Sequence, residues 1–325
     1  MNKELNEILQ SHVVASSEAE ARNKLLAASF VVVDKDGVIA LDDDMRSILP
    51  DLAALPVLRG FDDDGKPILE VHGRAITLRI NYMSYTLDGI KTPLKFAPGE
   101  GWYYGTAYDW AGQMLTKLTG SSPSSYMRDN IFEPLGMMST GFQLDSIPDS
   151  AGRRLAFAIS DDGILTPCPS PFAETKDEIE AGGSGLFSTP TDYARLLQGV
   201  LANKVLKPEI TDLLFTPQLN NTQRETLMAI AAYARDGGFS PELPADSPLD
   251  HGLGGLLNMP DIPGKRQAGS LMWSGATNGR WWIDRTTGVA GAVFTQVEPH
   301  GNLVVVRMYD QLERAVYRGL GKRKT

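Results

Sequence analysis

The sequence predicts an α/β protein of the α+β kind, in which an antiparallel sheet is flanked by terminal helices and joined to a largely helical domain. Three observations carry this. Strand-type runs crowd between residues 269 and 309, separated by the turn pairs Asn278-Gly279 and Thr287-Gly288. A β-branched and aromatic run, Ala28-Ser29-Phe30-Val31-Val32-Val33, stands alone far upstream. Helical spacing marks both ends, through Leu5, Ile8, Leu9 and Val13 at the start and Leu312, Val316 and Leu320 at the close. The division that follows gives 1–40 and 265–325 to the sheet domain and 41–264 to a mainly helical domain.

Taken in order, the opening helix runs into the strand at 28–33, and Asp34-Lys35-Asp36-Gly37 is a hairpin-type turn. The returning strand is cut short, because Val38-Ile39-Ala40 passes straight into Asp42-Asp43-Asp44. Residues 41–100 read as loop-rich, broken by Pro50, Pro56, Asp62-Asp63-Asp64-Gly65, Pro67, Pro93 and Pro98-Gly99. From 107 a helix is expected with Ala111, Leu115 and Leu118 on one face and Gly120 at its end. Ser122-Pro123 and Thr189-Pro190 each place a capping side chain before a first-turn proline, the second ahead of Tyr193, Leu196, Leu197 and Val200. Helical stretches follow around 208–215 and 222–234, and then a Gly/Pro-rich segment, 237–264, reads as surface loop. Strands are expected at 270–273, 280–284, 289–295 and 303–308, and a closing helix at 309–320.

Composition removes several function classes. With 42% hydrophobic residues among 325, the chain is too apolar for a disordered protein. The net charge of −9 argues against nucleic acid as a partner, since phosphate binding needs clustered cations and the basic cluster found is the tail Lys322-Arg323-Lys324. Cys168 is the single cysteine, which fits a reducing compartment. Residues 1–11 carry Lys3, Glu4 and Glu7 where a secretion signal needs an apolar core, and the apolar run at 25–33 falls far short of the roughly 20 residues of a membrane span. The expectation is a cytoplasmic protein with no membrane partner.

Searches for familiar chemistry are mostly negative. His12, His72, His251 and His300 form no H-E-x-x-H or H-x-H pair, so no protein-built metal site and no cofactor are expected. Phosphate-cradling glycine motifs are missing, since His251-Gly252-Leu253-Gly254-Gly255-Leu256-Leu257 lacks the third glycine of G-x-G-x-x-G. Gly182-Gly183-Ser184-Gly185 approaches a nucleophile elbow, but Leu186 stands where G-x-S-x-G needs glycine, and Ser184 reads first as a turn residue.

Several longer segments are informative together. They are Phe96-Ala97-Pro98-Gly99-Glu100-Gly101-Trp102-Tyr103-Tyr104-Gly105, Asp109-Trp110-Ala111-Gly112, Ile131-Phe132-Glu133-Pro134-Leu135-Gly136-Met137, the loop Ala181 to Pro190, and Met272-Trp273-Ser274-Gly275 with Asn278-Gly279-Arg280-Trp281-Trp282. This set resembles the serine hydrolases of the class C β-lactamase type, and within them the fungal transesterases of polyketide pathways. The resemblance implies a β-lactamase/transpeptidase-like fold and transfer or hydrolysis of a small-molecule acyl ester or thioester in secondary metabolism. The partners it implies are an acyl donor and acceptor, an acyl carrier protein among them. Tyr104 matches the family's tyrosine base. Trp273, Ser274 and Gly275 match its late strand, with Ser274 or Gly275 offering an oxyanion amide, and Trp281 completes the substrate pocket.

One departure weighs against those matches. In the family a Ser-x-x-Lys pair on a helix supplies nucleophile and amine one turn apart. No lysine of this sequence has serine three residues before it, the nearest case being Thr92-Pro93-Leu94-Lys95. The expected helix belongs where Val38-Ile39-Ala40-Leu41-Asp42-Asp43 joins its flanks directly, and a second gap follows Ile76-Thr77-Leu78-Arg79. Apparent internal deletions of this kind fit a degenerate copy or a misassembled reading frame. The alternative to an acyltransferase or esterase is therefore a pseudoenzyme or small-molecule-binding protein on the same scaffold. A β-lactamase or peptidoglycan peptidase ranks below both.

Overall fold

The computed structural model describes residues 2–12, 29–33, 57–61, 67–70, 86–150, 154–161, 163–169, 178–235 and 237–321. Its α-helices are α1 (Asn2–His12), α2 (Leu87–Ile90), α3 (Ala107–Thr119), α4 (Pro123–Met127), α5 (Glu133–Leu135), α6 (Pro190–Leu201), α7 (Pro208–Leu214), α8 (Asn221–Tyr233) and α9 (Leu303–Gly321). Its strands are β1 (Ser29–Val33), β2 (Val57–Phe61), β3 (Pro67–Glu70), β4 (Ala158–Asp161), β5 (Ile164–Pro167), β6 (Leu249–His251), β7 (Leu256–Asn258), β8 (Ser270–Ser274), β9 (Arg280–Asp284), β10 (Val289–Phe294) and β11 (Val297–Glu298).

Among the described residues six strands form the main sheet in the order β1-β10-β9-β8-β7-β6, antiparallel throughout. Side chains alternate across it with the period of two that extended backbone imposes. Met272 and Trp282 join Val305, Met308, Tyr309 and Leu312 of α9, and Leu5, Ile8 and Leu9 of α1 pack on that cluster. Leu271 and Ile283 pack instead with Leu197 and Leu201 of α6. Removal of each such side chain from water is worth about 1.5–3 kcal/mol, so the two faces fix the sheet between the terminal helices and α6. Gly291 lies opposite Trp282, and a Cβ there would come within 2.3 Å of the indole; only glycine lets that ring lie flat across β10.

Capping follows the sequence pattern. Ser122 accepts from Ser125 N–H and Thr189 from Asp192 N–H, each before its proline, while Gly120 ends α3 in the left-handed region. Behind β8, Glu313 of α9 accepts from Arg266 Nη2 at 2.7 Å and lies 3.1 Å from Lys265 Nζ, all three side chains fully buried.

The structure departs from the sequence expectations at five places. Residues 303–308 are the first turns of α9 rather than a strand, because Asn302 Oδ1 accepts from Val304 and Val305 N–H and so caps a helix whose apolar residues keep helical spacing. Within the supposed surface loop 237–264, β6 and β7 complete the main sheet, so the boundary at 264/265 falls between its strands. Leu118 is 61% exposed, and α3 buries Ala107, Trp110 and Met114, with Trp110 Nε1 donating to Ile90 O. The loop-rich stretch 41–100 holds the β2–β3 hairpin and α2. The β4–β5 hairpin, joined in parallel by β11, went unmarked because its strands are only four residues long. The hairpin turn at 34–37 and both apparent deletions lie outside the described residues. No helix among the described residues is long and apolar enough to cross a membrane.

Candidate active site

The segment before α3 and the end of β8 meet face to face. Tyr104 stacks on Trp273 with ring centroids 5.5 Å apart and an interplanar angle of 26°. Trp273 also receives the edges of His251, from the end of β6, and Phe239, from the loop after α8, and both of those pack on Trp102. Five rings from four stretches of chain therefore form one aromatic wall. Trp281 is the register partner of Trp273 and, partly buried, packs against the α6 cluster.

The Tyr104 hydroxyl is held above its ordinary value, first by burial and further by the Asp109 carboxylate, although the hydrogen bond with Trp273 pulls the other way. It is protonated at neutral pH, and its oxygen accepts from the indole N–H of Trp273; a base role would need a cation beside it. Asp109, in the first turn of α3, is buried, and burial pushes its carboxyl up to about 6 against the opposing pull of the Gly183 N–H. Its Oδ1 accepts from that N–H at 3.0 Å, pinning the glycine-rich loop to the helix that follows Tyr104. The loop fits because Gly182 has no side chain: a Cβ would lie 2.4 Å from the Tyr108 carbonyl oxygen. Ser184 is an exposed residue of that loop, its N–H closing a turn on Ala181 O.

Of the two oxyanion candidates, Gly275 donates its N–H to Gly279 O at 2.8 Å inside the β8–β9 hairpin and is thereby occupied. Antiparallel ladders alternate the side to which successive N–H groups point. Ser274 N–H accordingly faces the β7 side of β8, where pairing stops at Leu256 opposite Met272. The Ser274 hydroxyl lies 3.1 Å from His300 Nε2, and His300 Nδ1 lies 3.0 Å from Gly237 O. Burial lowers the His300 value, with Arg280 reinforcing it, while the Gly237 carbonyl and Glu242 oppose it. Sequence reasoning missed His300, His251, Phe239 and Asp109. The histidines carried a signal only as metal ligands, and their aromatic and hydrogen-bonding roles depend on tertiary placement.

An antiparallel sheet closed by terminal helices, with a tyrosine segment and a late strand converging beside a glycine-rich loop, defines the serine β-lactamase-like class of hydrolases and acyltransferases. The β-lactamase family model matches residues 33–313, and the chain belongs to that family. It is 32% identical over 318 residues to monacolin J acid methylbutanoyltransferase of Aspergillus terreus, covering 86% of this chain and 76% of the relative. Lovastatin esterase of Penicillium rubens is 30% identical over 291 residues, covering 79% and 73%. Among solved structures, a variant of simvastatin synthase from Aspergillus terreus superposes with a TM-score of 0.81 at 31% identity, over 87% of this chain and 76% of that one.

Proposed function

We propose that the chain binds a small-molecule acyl ester or thioester against the Tyr104–Trp273 face and acts in acyl transfer or ester hydrolysis. The acyl group would arrive on a small thiol, an alcohol or an acyl carrier protein, in secondary metabolism and in the cytoplasm. The observation that supports this most is the stack of Tyr104 on Trp273, which joins the family's two separate motifs at one wall beside the amide of Ser274. An apolar acyl chain fits the aromatic wall, and a carbonyl oxygen fits the N–H at its edge.

A second reading, a pseudoenzyme that binds the acyl compound without turning it over, is favoured by one specific observation: the sequence contains no Ser-x-x-Lys. Tryptophan fluorescence titrated with butanoyl-N-acetylcysteamine tests the shared element. Saturable quenching that Trp273→Ala abolishes is expected. Quenching unchanged in Trp273→Ala would overturn the assignment of the pocket. Steady-state release of thiol then separates turnover from binding alone.

A further inference from the structure

We infer that Ser274 and His300 form a nucleophile–base pair able to take an acyl group from an ester or thioester, in place of the Ser-x-x-Lys that this sequence does not contain. The inference rests on the acyl-binding pocket proposed above and names the group that reacts there.

The partners fix the proton positions. A backbone carbonyl only accepts, so the His300 nitrogen facing Gly237 O carries the proton, and Nε2 presents its lone pair to Ser274. A serine hydroxyl donating to an imidazole oriented by a second group is the arrangement that activates an alcohol as a nucleophile. The charged groups facing His300 are Arg280, which lies opposite Ser274 in the β8–β9 register, and Glu242. These two pair with each other at 2.9 Å, and Nε2 keeps its lone pair for the serine proton. Ser274 is only partly buried, at the strand end that carries Trp273, and its own N–H points past the end of β7.

In the first step Ser274 Oγ bonds to the acyl carbon while its proton passes to His300 Nε2. The carbon–oxygen or carbon–sulfur bond then breaks, and the leaving alcohol or thiol takes that proton. In the second step an acceptor alcohol, or water, gives its proton to Nε2 and attacks the ester carbon. Ser274 leaves and recovers the proton, so the pair returns unchanged.

The test incubates the full chain with p-nitrophenyl butanoate and with butanoyl-N-acetylcysteamine, quenches in acid, and measures intact mass with peptide mapping. One butanoyl group on Ser274 is expected. Ser274→Ala, which keeps the backbone N–H, should abolish it, and Ser274→Cys should restore an adduct as a thioester. His300→Gln should slow acylation about 100-fold, the usual scale for a lost general base. An adduct on another residue, or one that survives in Ser274→Ala, overturns the inference. Fluorescence quenching without any adduct overturns it while leaving the acyl-binding pocket standing; loss of both signals removes the two together.

Discussion

Replacing Glu313 by glutamine tests how the strand that carries Trp273 and Ser274 is fixed from behind. Glu313 is fully buried and receives both Nε and Nη2 of Arg266, at 2.8 and 2.7 Å, as well as the Lys265 ammonium. Glutamine keeps the volume and one acceptor but removes the shared negative charge. Lys265 retains Asp310 at 3.0 Å, whereas Arg266 is left with the Tyr309 hydroxyl and the Met272 sulfur as side-chain partners. Stripping one member from a buried ion pair costs about 3–5 kcal/mol, a large part of a net stability of about 5–15 kcal/mol. At roughly 2 °C per kcal/mol for a chain of this size, calorimetry at pH 7 should show the midpoint about 6–10 °C lower. Arg266→Met combined with Glu313→Leu should recover most of the loss, because it removes the buried guanidinium as well as the carboxylate. Asp310→Asn, at a side chain 30% exposed, should cost no more than about 1 kcal/mol.

The same site predicts an acid limb. Burial alone would raise the Glu313 carboxyl, but Arg266 and Lys265 outweigh it and hold the group below its ordinary value. Its contribution is complete above the ordinary carboxylate range and is lost as pH falls through the depressed folded value. Parent protein should therefore lose stability in acid more steeply than the glutamine variant. A Glu313→Gln midpoint within about 2 °C of the parent, or a double variant no better than the single, would refute the account of β8 support.

Other expectations concern the site itself. Gly182→Ala should lower stability by about 1–3 kcal/mol and weaken acyl-ligand quenching, since the added carbon meets a backbone oxygen that has little room to yield; urea unfolding that matches the parent would contradict the packing of the loop. Asp109 has a folded value raised to about 6, so in the folded protein it holds its proton over a pH range in which the unfolded chain has released it. Its contribution to stability thus falls as pH rises from about 4 to about 6, and Asp109→Asn should flatten that window in pH-dependent unfolding while preserving the bond from Gly183. Tyr104→Phe should leave the stack and ligand quenching within about threefold of the parent, because the ring is kept; a complete loss of quenching would show that the hydroxyl, rather than the ring, holds the ligand.

The sheet was legible where strands are long and bounded by turns. The region 280–284 was read to the residue because Asn278-Gly279 and Thr287-Gly288 bracket it. Reading failed at 303–308 because Leu303-Val304-Val305-Val306 has strand-like composition, and only the cap from Asn302 tips it into a helix. It failed again at β6 and β7, each three residues long and set among glycines and prolines, since pairing with β8 supplies what local pattern does not. The site divides the same way. Tyr104 and Trp273 were found through motifs, and the structure stacks them. Trp281 carried an equally good motif and packs, partly buried, against the α6 cluster, a placement that depends on which helix covers that end of the sheet. The choice between the Ser274 and Gly275 amides needed the hairpin register, and His300 needed the turn that brings Gly237 to it.

The place of β1 has a consequence for how the protein is made. Among the described residues Ser29–Val33 pairs with β10 at the edge of the main sheet, and that partner lies far downstream in the sequence. During synthesis β1 emerges well before its partner and must wait until β10 has left the ribosome. High sequence separation of this kind slows folding and leaves an edge open to other chains in the meantime. Production at low temperature with slow induction, or in the presence of chaperones that shield extended segments, should raise the yield of folded protein more than any change at the pocket would.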